Sequence, residues 1–273
     1  MALTNRLLLE GSDVNGRFYK VEIKQESATE IIGSLGGELF TLDYEPEVDS
    51  ISSWISPSSA TIFFYDNSDD ITTFLADLIT YQQSDFFVEI SDSTDDVTYS
   101  VIWRGIVMQD EIRVEESSKP FLVSLKAVDG LALLKDTQYT TANTITSGIA
   151  RTKINDIIRQ ALQLGLSSEL WGATDPYLAV TANWWEANQN YSATSDPLET
   201  LYFDVFAYKE FVEIFGNYQV SGYKSCYDVI KEFCRVFLLR IYMADGRYYL
   251  EQISERSNAN VKRFLYDKDG ADV

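Results

Sequence analysis

Residues 17–24 place Tyr19, Val21 and Ile23 on one side of an extended chain and mostly charged groups on the other, the period of a half-buried strand. Gly36-Gly37 then reads as a turn, and Phe40, Leu42 and Tyr44 as a second alternating set. Residues 60–65 form an unbroken apolar run, as expected of a strand buried on both faces. Ile71, Phe74, Leu75, Leu78 and Ile79 recur at the spacing of one helical face, with Asp69 and Asp70 as candidate N-caps. Residues 86–90 and 97–103 suit a hairpin around the polar stretch 91–96, and two more strands are expected over 106–114 and 121–128.

The pattern fades in the Thr-rich stretch 140–147, where a domain boundary is expected. Beyond it, Ile154, Ile157, Ile158, Ala161 and Leu162 predict an amphipathic helix stopping at Gly165. Residues 171–223 are aromatic-rich and fit no single period, with Pro176 and Pro197 as breakers. Ser225 followed by Asp228 resembles a capping box before Cys226, Val229, Ile230, Phe233, Cys234 and Phe237, which share a helical face. Leu239, Ile241 and Met243 alternate into Asp245-Gly246, a strong hairpin signal, and Tyr248, Leu250 and Gln252 line the returning strand. The expected fold class is α+β and strand-dominated. A barrel-like N-terminal domain over 1–140 precedes a smaller α+β domain over 141–273, which ends in a helix and hairpin and carries an aromatic-rich insertion at about 171–223.

Composition sharpens this reading. The 273 residues include 17 Tyr, 15 Phe and 5 Trp, too many large rings for a disordered chain and a bias towards strands. The net charge of −20, from 22 basic and 42 acidic side chains, opposes binding to a phosphate backbone or an anionic membrane surface. No apolar run approaches the roughly 20 residues that span a bilayer, so no membrane insertion is expected.

With no His and only Cys226 and Cys234, Ser-His-Asp, Cys-His and His-ligated zinc sites cannot be built. The two thiols share the apolar face of one helix and would lie about 12 Å apart along its axis, too far for a disulfide. They are expected to be buried and structural. Carboxylates are plentiful, yet nothing in the spacing of Glu10, Asp43, Glu45, Glu186 and Glu199 selects a catalytic pair. The acidic stretches 66–70 and 92–96 lack the alternating ligands, central Gly and final Glu of a calcium loop, and suit a helix start and a hairpin tip. No catalytic residue, cofactor or metal is therefore expected. Trp171, Tyr177, Trp184, Trp185 and Tyr191 remain as candidate interface or ligand aromatics, suited to a subunit contact or to stacking on sugar rings.

The order of motifs is also informative. Trp103-Arg104-Gly105 in a strand, then residues 119–128 running into Asp129-Gly130-Leu131 and a short helix, resembles the first domain of bacteriophage tail hub and baseplate proteins. The Ser225–Ile230 helix start with the hairpin over 240–253 is similar to the second-domain unit of the same family. Read from the residues alone, Asp129 is expected to cap the short helix and Gly130 to relax its backbone. The resemblance implies a non-enzymatic virion component at the tail tip, synthesised in the host cytoplasm. It would form a ring of identical subunits, a trimer favoured, in contact with other tail proteins, with DNA passing through unbound. The alternatives are a carbohydrate- or receptor-binding module and, less favoured by the residues, an acid-paired cell-wall hydrolase.

Overall fold

A computed structural model of the chain describes residues 3–26, 30–44, 54–80, 86–114, 119–140, 151–166, 170, 177–181, 196–214, 217–255, 263–267 and 269–271. Two units are distinguished: Met1–Glu45, Pro57–Asp129 and Met243–Gly246 make the first, and Pro46–Ser56, Gly130–Tyr242 and Arg247–Val273 the second. The division thus falls near residue 130 rather than 140, and two short segments belong to the unit that does not surround them in sequence. The second unit draws on more of the chain than the first.

In the first unit, β1 (Leu3–Ser12), β2 (Phe18–Glu26) and β3 (Ile31–Tyr44) are followed, after a two-residue strand β4 (Ile55–Ser56) of the other unit, by β5 (Ser58–Asp66). Then come helix α1 (Asp69–Thr80), β6 (Phe87–Ser93), β7 (Ser100–Val114) and β8 (Phe121–Val128). The strand order β1-β2-β6-β7-β8-β5-β3 closes on itself, β3 pairing back on β1 in parallel and every other neighbour antiparallel. Alternate residues fill the interior, among them Leu7, Leu9, Val21, Ile23, Ile62, Phe64, Ile90, Trp103 and Leu125, all fully buried. Closure leaves no strand edge, so every strand can satisfy its backbone within the sheet.

Several local expectations change. Gly36-Gly37 makes no turn: it lies within β3, where the register against β5 shifts between Leu35 and Phe40. The apolar run in β5 is buried on one side, since Ile62 and Phe64 point inward while Tyr65 is exposed. Helix α1 buries Ile71, Phe74, Leu75 and Leu78 but leaves Ile79 74% exposed. Its start is capped by the Ser68 hydroxyl, which accepts from the Ile71 N–H at 3.2 Å, while Asp69 and Asp70 sit in the first turn and favour the helix dipole. The strands expected over 97–103 and 106–114 are one, β7, passing through Gly105.

The second unit holds β9 (Arg151–Lys153), the helix Ile154–Gly165, β10 (Leu178–Thr181), a helical turn Pro197–Thr200, β11 (Tyr202–Asp204), β12 (Lys209–Ile214) and β13 (Asn217–Tyr223). The helix Cys226–Phe237, β14 (Leu239–Ala244), β15 (Arg247–Gln252) and β16 (Phe264–Tyr266) complete it. One sheet runs in the order β16-β10-β15-β14-β4. The Ile154–Gly165 helix has the predicted bounds and buries all five predicted residues. Its glycine has a different reason: Leu166, not Gly165, is the C-cap, in extended backbone, and a Cβ at Gly165 would lie 2.3 Å from a Leu134 methyl. Close packing against the Leu134 side chain, rather than a left-handed cap, favours Gly there. Ser225 does cap its helix, accepting from the Asp228 N–H at 3.1 Å. Asp228, one methylene shorter than Glu, accepts from the Ser225 hydroxyl at 2.8 Å. Asp245 and Gly246 both take positive φ, 47° and 67°, as the tight hairpin turn requires.

Candidate assembly surface

Trp103, Gly105, Ser58 and Asp129 form a polar seam in the first unit. The Trp103 ring folds along β7 over Gly105, where an added Cβ would lie 2.1 Å from the ring and 2.5 Å from the Val128 carbonyl oxygen. Its indole N–H donates to the Ser58 hydroxyl at 2.9 Å, and that hydroxyl donates to Asp129 Oδ2 at 2.8 Å. The N-cap of the short 3-10 helix Leu131–Lys135 is Gly130 at φ 86°, one residue after Asp129. The buried Asp129 carboxylate binds Ser58 through Oδ2, which also accepts the Ser58 backbone N–H at 2.7 Å. The residues that carry the family resemblance thus hold strands together.

Other reactive groups are similarly engaged. Cys226 and Cys234 are free and fully buried. Burial pushes the Cys226 thiol up to about 12 and raises that of Cys234 as well. At the β6–β7 tip, Asp95 accepts from the N–H groups of Thr98 and Val97 and from the Ser93 hydroxyl, which hold its carboxyl well below the usual range. All three bonds fall on Asp95 Oδ1, and they fix the turn. Burial alone would raise Glu89, but Lys24 and Arg104, each 2.9 Å away, outweigh it and hold the carboxyl below its ordinary value. Among the described residues no group of three His, Cys, Asp or Glu side chains is placed to hold a metal ion. No described helix is long and apolar enough to cross a membrane.

Of the five nominated aromatics, Trp171, Trp184, Trp185 and Tyr191 lie outside the described residues. Tyr177 is 3% exposed, and its backbone carries sheet hydrogen bonds to Tyr266 at 2.8 Å and Tyr248 at 2.7 Å. It belongs to the core of the second unit, not to its surface.

The surface that is available lies elsewhere in that unit. Among the described residues, hairpin β12–β13 pairs with no other strand. Its base is fixed where Lys224 N–H donates to Tyr208 O and Tyr139 N–H to Lys224 O, both at 2.9 Å, beside the stacked rings of Tyr208 and Phe203. Beyond the base, residues 210–213 and 217–221 are exposed. Phe211 (45% exposed) faces Val220, and Tyr218 (74%) faces Glu213, so these four share one side. Val212 and Gln219 pair on the other. An isolated two-stranded hairpin is marginal in water, and apolar side chains left open on it favour burial against another surface. Alternation around the Gly216-Asn217 turn signal was present in the sequence but obscured by the aromatic residues flanking it.

A second surface feature lies on the outer wall of the first unit. β7 spends five steps from Met108 to Arg113 against two on β8, from Lys126 to Ser124, and so arches away. A depression of about 400 Å3 opens there, lined by Thr61, Phe63 and Ser124 and by both signs of charge, Asp43 and Glu111 with Arg113 and Lys126. Glu111 and Lys126 pair at 3.6 Å. With its charges balanced and its mouth wide, the depression is chemically closer to a protein contact than to an enclosed small-molecule site.

No protein-family model matches the chain, and a search of curated protein sequences also finds no match.

Proposed function

We propose that the chain is a structural, non-catalytic component of a bacteriophage tail tip, a baseplate hub or tube-to-tip adaptor, that forms a ring through contacts between its copies. The observation that carries this reading is the β12–β13 hairpin, anchored at its base and paired with no other described strand, with Phe211, Tyr218 and Val220 exposed. A head-to-tail contact in which each copy offers such an arm to the next generates a closed ring when the rotation closes. The order of the Trp103-Gly105 and Asp129-Gly130-Leu131 motifs supports the same family. The acidic balance suits a ring through which DNA slides without being held.

The test is the mass of the purified chain by native mass spectrometry and light scattering, for the wild type and for Phe211→Glu with Tyr218→Glu. The wild type is expected as a small closed oligomer, and the variant as a monomer with an unchanged melting temperature. A wild type that stays monomeric at every concentration, or a variant that assembles equally well, would reject the ring. Specific retention on a glycan array by the monomer would favour a receptor-binding module instead.

A further inference from the structure

The link between β5 and α1 wraps oxygen atoms around the end of one lysine. Lys119 Nζ donates to Ser68 O at 3.2 Å, to Asp69 Oδ1 at 3.2 Å and to Thr72 Oγ1 at 2.7 Å. An ammonium has three N–H bonds, so its donors are then exhausted. Thr72 in turn donates its proton to Asp66 Oδ2 at 2.8 Å. The other oxygen, Asp66 Oδ1, is left without a hydrogen bond although the residue is 0% exposed, and it faces the ammonium at 3.6 Å. Four acceptors converge on a group that can serve three. A buried carboxylate oxygen without a donor is costly and calls for a positive charge.

The donor set is a carboxylate pair, a backbone carbonyl and a hydroxyl, drawn from positions 66, 68, 69 and 72. Those are the hard oxygen ligands that calcium takes, and an ion is not limited to three directions of bonding. We propose that this cradle is a cation site whose cation the chain supplies itself, the Lys119 ammonium standing where a calcium ion would otherwise bind. The device ties the start of β8 to the start of α1, 47 residues apart at Thr72, without dependence on free metal. It also gives Asp66 and Asp69 of the acidic run at 66–70, which lacks a calcium-loop motif, a shared cationic partner.

The experiment compares the wild type, Lys119→Met and the double variant Asp66→Asn with Lys119→Met, each melted in EDTA and in millimolar calcium chloride. Terbium luminescence counts the bound ions. In EDTA, Lys119→Met should melt several degrees below the wild type, and calcium should restore most of the loss. It should bind one terbium ion more than the wild type. The wild type and the double variant should respond to calcium weakly and alike, because the first has its cation and the second has lost the charge that demands one. Should Lys119→Met fold only with calcium present, the proposal is supported in its strongest form. It is overturned if Lys119→Met melts like the wild type in EDTA, if calcium shifts all three equally, or if Lys119→Met stays unfolded in calcium.

Discussion

Asp129 and Ser58 lie 71 residues apart and bind each other twice through one oxygen, Asp129 Oδ2 accepting both the N–H and the hydroxyl of Ser58. In return the Asp129 N–H donates to the Ser58 carbonyl at 3.0 Å. This buried pair joins the first residue of β5 to the end of β8. Asp129→Ala leaves the Ser58 N–H buried without its acceptor, and should cost about 3 kcal/mol in urea denaturation. A loss within a few tenths of a kcal/mol would mean that water replaces the carboxylate.

Gly105→Ala tests the contact between the Trp103 ring and its own strand. The new methyl would meet the ring at 2.1 Å and the Val128 carbonyl at 2.5 Å, and one of these is backbone. The ring must leave its place and give up its bond to Ser58. We expect a loss of about 3 kcal/mol and a changed near-ultraviolet circular dichroism signal from the displaced indole. An unchanged spectrum would show that the strand, not the ring, moves.

Glu89→Gln removes the charge that Lys24 and Arg104 share. Because the folded carboxyl lies below its ordinary value of about 4.5, its contribution is fully present above that pH and is lost as pH falls. The variant should therefore be less stable than the wild type by about 1–2 kcal/mol at pH 7, with the difference shrinking towards acid. A difference independent of pH would assign the effect to packing.

The two thiols should react with a thiol reagent only as the protein unfolds, since both are buried. For Cys226, raised from 9.0 to about 12, the unfolded chain gives up its proton first. Its contribution is complete below about pH 9 and is lost as pH rises towards 12. Denaturation at stepped pH should show stability falling over that window, less steeply in Cys226→Ala. Cys234→Asp should cost about 4 kcal/mol by burying an unpaired charge. Rapid labelling of the native protein would place the helix the other way round.

Fluorescence anisotropy with duplex DNA at low salt should give no specific binding, because a chain at net −20 leaves the counterion shell of DNA in place. Binding that weakens steeply with added salt would reveal a basic surface that the overall balance conceals.

The elements legible in the sequence are those whose pattern is local. The Ile154–Gly165 helix, β8 and the Asp245-Gly246 turn follow from 3.6-residue spacing, strict alternation and the need for positive φ, none of which depends on distant residues. Apolar Cys226 and Cys234 on one helical face likewise announced their burial. Legibility failed where a residue serves a partner far along the chain. Asp129 before Gly130 has the composition of a helix cap, and nothing near it in sequence announces that Ser58, 71 residues away, binds its Oδ2, while Gly165 resembles a stop signal but packs against Leu134. Gly36-Gly37 reads as a turn by composition, yet it lies inside β3 where the register against β5 shifts. The aromatics around 171–191 drew notice by size, whereas Tyr177 is buried by a sheet that β15 and β16 complete from much later in sequence. Periodicity fixes which face of an element is apolar. Only the tertiary structure decides what covers that face, because hydrogen bonds and packing are made between surfaces that chain order does not bring together.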